Sequence, residues 1–211
     1  MRYVVKTPWW LRMMFPANLI WHIPTTEKII YLTFDDGPHP VATPFVLDEL
    51  KKYKAKATFF CIGKNVQEQP ELYQRIFAEG HRVGNHTHNH LNSWKTDDET
   101  WLNNVKEAAK WIDSDLFRPP YGKIRSFQAK LLQQANPPYR IIMWNVLSAD
   151  FDQSISAEQC FNNVKKNVKP GAIIVFHDSE KAFKNMKYAL GETLSYFSGM
   201  GYRFEAIRQA K

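Results

Sequence analysis

Cysteine is scarce in this chain: 211 residues contain only Cys61 and Cys160. That excludes a disulfide framework and a thiolate zinc cluster. Cys61 lies inside "ATFFCI" and Cys160 stands at helical spacing with Val164 and Val168, so both read as small core residues. Apolar runs of membrane-spanning length are absent too. The N-terminal stretch "MRYVVKTPWWLRMMFPANLIWHIP" is apolar but broken by Arg12, Pro16 and His22, and it lacks the layout of a cleavable signal. It is expected to lie across one end of the domain, the alternative being a membrane surface met through Trp9, Trp10 and Trp21. The expected location is therefore cytoplasmic or at a membrane surface. No basic motif interleaved with aromatics is present, so nucleic acid is not expected as a partner. Net charge +7 points either to an anionic partner, such as a cell-wall polymer or membrane surface, or to solubility alone. Lys51, Lys52, Lys54, Lys56, Lys165, Lys166 and Lys169 fall on helical stretches and look like solvated faces.

What is present describes one globular domain. Hydrophobic residues make up 44% and aromatics 14%, enough for a well-buried core. No linker, repeat or composition shift divides the chain, which reads as an extension over 1–27 and a domain over 28–211. Short apolar runs at 29–34, 57–62, 82–84, 115–118, 139–146, 172–176 and 202–207 alternate with helical segments. Most are apolar almost throughout, as parallel strands covered on both faces must be. Helix starts are expected at Thr43 with Pro44, at Pro70, at a capping box of Thr96 and Glu99, near Ser126, and at Ser156 with Gln159. The helix from Ser126 is expected to bury Phe127, Leu131 and Ala135, and a last one runs from about 181 to 198. Seven strands with intervening helices make an α/β fold, a distorted (β/α)7 barrel in a single domain.

Polar clusters follow five of these runs: "DDGPHP", "NHTHNH", "RPPYG", "NVLSADFD" and "HDS". In a parallel barrel the C-terminal strand ends meet at one mouth, where active sites are built. Asp35 and Asp36 are followed at once by Gly37 and Pro38, which break the strand and can swing both carboxylates to that mouth. An ordinary Asp-Gly turn is the plain alternative. His86 and His90, four residues apart, share a side if the chain makes one helical turn, with His88 pointing away; on a strand all three would share a face. Asp36 with His86 and His90 would make a three-ligand metal site with an open position for water, whereas taken alone the stretch is a polar loop. Arg118 precedes Pro119 and Pro120, a stiff turn that Gly122 lets others approach, and an arginine there would hold a neighbouring carboxylate ionised. A backbone amide near Tyr121 is a candidate oxyanion donor. His177, straight after "AIIVF", needs a partner, and Asp150 or Asp178 would hold it protonated as a general acid; otherwise it is a hydrogen-bonded core histidine.

"TFDDGPHP", "GNHTHNH", "RPPYG", "WNVLSADF" and "IIVFHD", in that order, resemble the motifs of the NodB-homology polysaccharide deacetylases, carbohydrate esterase family four. The resemblance runs from about residue 28 to the end of the chain. It implies Asp35 as catalytic base, Asp36, His86 and His90 as metal ligands, Arg118 as the group orienting Asp35, and Asp150 as the partner of a general acid His177. It also implies a backbone oxyanion donor at Tyr121 and an acetylated glycan as substrate, an N-acetylglucosamine-containing polysaccharide or oligosaccharide, chitin-like or peptidoglycan-like, losing N-acetyl groups, with O-acetyl groups a further candidate. Zinc is the first expectation for the metal, with cobalt, nickel or iron compatible with the donor set. Tyr121, Trp144 and Phe151 are candidates to stack on sugar rings, although Trp144 sits inside an apolar run and reads equally as core. Phe151 stands where the family commonly carries tryptophan, which removes an indole N–H donor. Two further readings are a related amidohydrolase acting on a small cyclic amide and a catalytically silent glycan-binding barrel.

Overall fold

The computed structural model describes residues 3–16 and 18–208. Met1, Arg2 and Ala17 of the 1–27 extension, and residues 209–211, lie outside them. In chain order the elements are α1 (Trp9–Arg12), β1 (Ile29–Asp35), α2 (Ala42–Lys52), β2 (Ala57–Cys61), α3 (Gly63–Glu68) and α4 (Pro70–Ala78). They continue with β3 (Arg82–Asn85), α5 (Asp98–Ala109), β4 (Leu116–Phe117), α6 (Ser126–Gln133), β5 (Arg140–Ile141) and β6 (Val146–Leu147). The last are α7 (Ala157–Lys165), β7 (Ala172–His177), α8 (Glu180–Gly199) and β8 (Arg203–Phe204). Among the described residues no helix is long and apolar enough to cross a membrane.

All strand pairs are parallel, in the order β5-β4-β3-β2-β1-β7-β6, with β8 beside the start of β1. β1 lies between β2 and β7, and all seven of its residues are buried, as are all five of β2. That burial on both faces is why the two sequences are apolar without alternation. The run expected as one strand over 139–146 pairs in two places: β5 with β4, and β6 with β7. Only residues 142–145 separate them, so this stretch carries the chain from one edge of the sheet to the other and curls it into a barrel. The N-terminal segment lines that seam. Leu147 N–H donates to Val5 O, Thr7 N–H to Asn145 O, Ile20 N–H to Ile141 O and Ile23 N–H to Gly171 O.

Several helix starts differ from the sequence reading. The first turn of α2 is capped by His39, whose Nδ1 accepts from the N–H groups of Val41 and Ala42, while Thr43 lies within the helix. Asp97, not Thr96, caps α5 by accepting from Thr100 N–H. Ser156 caps α7 through Gln159 N–H, as its spacing implies. In α6 the buried residues are Gln128, Ala129 and Leu132, and Phe127 and Leu131 are exposed. The reason is polar: Gln128 donates to Asp98 Oδ1 and accepts from Arg125 N–H, so it takes the inner face.

Candidate active site

Sheet register sets the site's floor. Asp35 pairs with Phe60 on one side and His177 on the other, and Cys61 pairs with Asn85, so the C-terminal strand ends stand level. The loops leaving those ends therefore meet at one mouth. Just beyond β1, Asp36 takes a positive φ of 82°, a left-handed conformation that turns its side chain off the strand path. Its carbonyl accepts from Asn65 Nδ2 at 2.7 Å.

The histidine stretch is neither helix nor strand. β3 ends at Asn85, and residues 86–90 form a loop in which Thr87 and His90 have positive φ, 65° and 55°. That loop brings His86 and His90 to Asp36: Nε2 of His86 lies 3.7 Å and Nε2 of His90 3.3 Å from Asp36 Oδ1. One ligand atom from each of the three lies within 4.8 Å of the others. His88 is turned away, its Nδ1 against Gly63.

The donor set fits a divalent cation. His86 Nδ1 stands 2.7 Å from the carbonyl of Arg118, which can only accept; the ring proton therefore belongs on Nδ1 and a lone pair on Nε2. Burial, with His86 alongside, lowers the His90 pKa to about 4, so that imidazole is neutral at ordinary pH. Asp36 Oδ1 is buried and has no hydrogen-bond partner among the described residues. Nε2 of both imidazoles and an unbonded carboxylate oxygen thus converge among the described residues, a donor set that a positive ion fits.

Asp35 is buried beside this cluster. Burial disfavours its charge, yet Arg118, His86 and His177 outweigh that and hold its carboxyl below the ordinary value. Arg118 is fully buried and reaches Asp35 Oδ1 at 2.7 Å. The guanidinium lies 4.1 Å from the Phe60 ring centroid, and a Cβ on Gly84 would meet that ring at 2.5 Å. Glycine there is what leaves room for the stack.

Of the two candidate partners for His177, Asp150 is the one that meets it. Asp150 Oδ1 lies 2.7 Å from His177 Nδ1, and its Oδ2 accepts from His177 N–H at 2.7 Å. Burial opposes protonation of the imidazole, but Asp150 wins and raises its pKa to about 9. Asp178 faces the other way, accepting from Gly37 N–H at 3.1 Å and bonding Thr43 Oγ1. Burial pushes its carboxyl up to about 8. It ties the Asp35–Asp36–Gly37 turn to the end of β7.

Pro119 leads into a single 3-10 turn, Pro120–Gly122, where Tyr121 has φ 59° and an exposed ring 4.6 Å from that of His90. Phe151 sets its ring edge-on to His177 at 5.2 Å, an apolar wall beside that imidazole. Trp144 is half-buried in two apolar clusters, its ring under Gly122, so it supports the turn from below. Thr33 and Asn65 join the site without having been expected there from the sequence. Thr33 Oγ1 accepts from Arg118 Nη1 at 2.7 Å. A signal for Asn65 exists: "GKN" follows the second apolar run, the same strand-end position that marks the other clusters.

With this geometry established, similarity to known proteins identifies the family. The family model described as polysaccharide deacetylase matches residues 22–139. The chain belongs to the polysaccharide deacetylase family. Among this family's curated members, a peptidoglycan-N-acetylglucosamine deacetylase of Bacillus cereus is 39% identical over 195 residues, covering 90% of this chain and 91% of its own length. A chitooligosaccharide deacetylase of Azorhizobium caulinodans is 32% identical over 185 residues, covering 82% and 86%. The crystal structure of the Bc1960 peptidoglycan N-acetylglucosamine deacetylase superimposes with a TM-score of 0.84 at 30% identity, over 95% of both chains. The distorted (β/α)7 barrel expected from the strand pattern is the fold this polysaccharide deacetylase adopts.

Proposed function

We propose that this chain hydrolyses the N-acetyl groups of an N-acetylglucosamine-containing glycan, using Asp36, His86 and His90 to hold a divalent cation. The observation that carries the reading is the pairing of a buried Asp35–Arg118 couple and an Asp150–His177 couple beside one cluster of converging lone pairs. Binding alone needs neither couple. Zinc suits the donor set first, and cobalt, nickel or iron fit it as well. A cation held there would supply Lewis-acid polarisation of the acetyl carbonyl and would acidify the attacking water.

Asp35 takes a proton from the water as it attacks, and Arg118 keeps that carboxylate ionised and aimed. The backbone N–H of Tyr121, fixed by the Pro119–Pro120 turn, donates to the developing oxyanion. His177, charged through Asp150, delivers the proton that lets the sugar amine leave. Tyr121 and Phe151 offer apolar ring surface to a sugar on either side of the reacting group.

The test is acetate release from a panel of N-acetylated chitooligosaccharides and muropeptides, with and without chelator. Asp35→Asn and His177→Ala are each expected to lower the rate by at least ~10²-fold with metal bound. Near-full activity in Asp35→Asn would remove that residue from the role of base.

A further inference from the structure

The barrel end remote from the mouth carries features that deacetylation does not use. Tyr3 is at the mouth, its hydroxyl donating to Asp152 Oδ2 and its ring against Phe151. From there the chain runs antiparallel to β6, past Val5 and Thr7, so α1 lies away from the mouth. None of α1's residues is buried. Trp9 is 73% exposed, Trp10 54%, and Met13 and Met14 each 75%. Phe15 and Trp21 instead turn inward, ring against ring at 5.2 Å, onto an apolar cluster of the domain. The segment is thus anchored by one set of large side chains and projects another. A projecting cluster of this kind marks an interaction surface.

Positive charge accompanies it. A cavity of about 600 Å³ beside the projection is lined by Arg12, Trp21, His22, Tyr31, Arg140 and Arg208. Arg140 pairs with Asp115 and Arg208 with Glu205, each carboxylate being shared with a second arginine, Arg82 or Arg203. Lys6 and Arg12 make no ion pair among the described residues. Among the described residues Arg12 Nη2 donates to Thr7 O, at 3.4 Å, and its Nε is buried without a partner.

We infer that α1 and its flanks dock on the surface of an anionic phospholipid bilayer. Exposed tryptophan and methionine on and beside α1 match the boundary between headgroups and acyl chains, where tryptophan is enriched. Arg12 and Lys6 meet the lipid phosphates, and the net charge of +7 favours the same surface. The mouth then faces away from the bilayer. This inference is independent of the deacetylase reading.

The test is co-sedimentation of the full chain with vesicles of phosphatidylcholine alone or with about a third phosphatidylglycerol, at low and high salt. Binding is expected to the anionic vesicles, weakened by salt as surface charge is screened. Replacing Trp9, Trp10, Met13 and Met14 together by serine is expected to weaken it by roughly tenfold or more. Arg12→Gln weakens it too. Deacetylation of a soluble chitooligosaccharide and the circular dichroism of the serine variant stay as in the parent, which separates docking from folding and from the activity. Anionic-vesicle binding that is absent, or equal in parent and variant, overturns the inference. So does a patch-dependent dimer, seen by light scattering, in place of vesicle binding.

Discussion

Arg118 spends every guanidinium nitrogen inside the barrel. Its Nε donates to Ile142 O, its Nη1 to Thr33 Oγ1 and Asp35 Oδ1, and its Nη2 to Met143 O. No solvent compensates for its loss, so Arg118→Met leaves the Asp35 carboxyl buried without its guanidinium, with the imidazoles of His86 and His177 as the remaining offset. Destabilisation of about 3–5 kcal/mol is expected, read from urea unfolding. Asp178 holds a different pair of contacts, accepting from Gly37 N–H and Thr43 Oγ1. Asp178→Ala strips the acceptor from Gly37 N–H, one residue from Asp36, and frees the turn that aims it. Calorimetric titration with Co²⁺ is expected to show affinity lower by about 10–100-fold, the usual scale for a group that orients a ligand. Asp178→Asn, which keeps an acceptor, should lose less.

At the scale of elements, β2 depends on a neutral histidine. His81 is buried and its Nδ1 accepts from Ala57 N–H, the first residue of that strand. Burial, with Lys56 nearby, lowers its pKa to about 4 from an ordinary 6.5. Above pH 6.5 neither the folded nor the unfolded form carries the proton. As pH falls from 6.5 to about 4 the unfolded chain takes it up first, so folding stability drops across that window, by roughly 2–3 kcal/mol. His81→Asn keeps an acceptor and cannot titrate; its thermal-denaturation midpoint should fall less over the same pH range. The sequence is most legible where elements are uniform. β1, β2 and β7 show as apolar runs because both faces are covered, and Ser156 caps α7 where its spacing puts it. It misleads where a tertiary partner overrides the local pattern: Gln128 displaces Phe127 from the inner face of α6, and His39 does the capping expected of Thr43. The left-handed residues Thr87 and His90 leave no periodic trace, so the ligand loop could be named but not shaped.

For the whole molecule, the site results from closing the sheet. Parallel strands in register bring Asp35 level with His177, and the 140–147 stretch joins the two sheet edges, with its carbonyls at Ile142 and Met143 holding Arg118. The strand-end rule therefore locates most of the site from sequence, while the pairing of His177 with Asp150 rather than Asp178 needs the folded chain. The most direct test is cobalt titration of chelator-stripped protein, with visible absorption and acetate release measured in the same samples. One Co²⁺ per chain, with activity rising in step with the absorption and both lost in His86→Ala and His90→Ala, is the predicted result. Full activity in the stripped protein, or unchanged cobalt uptake in those variants, would contradict it.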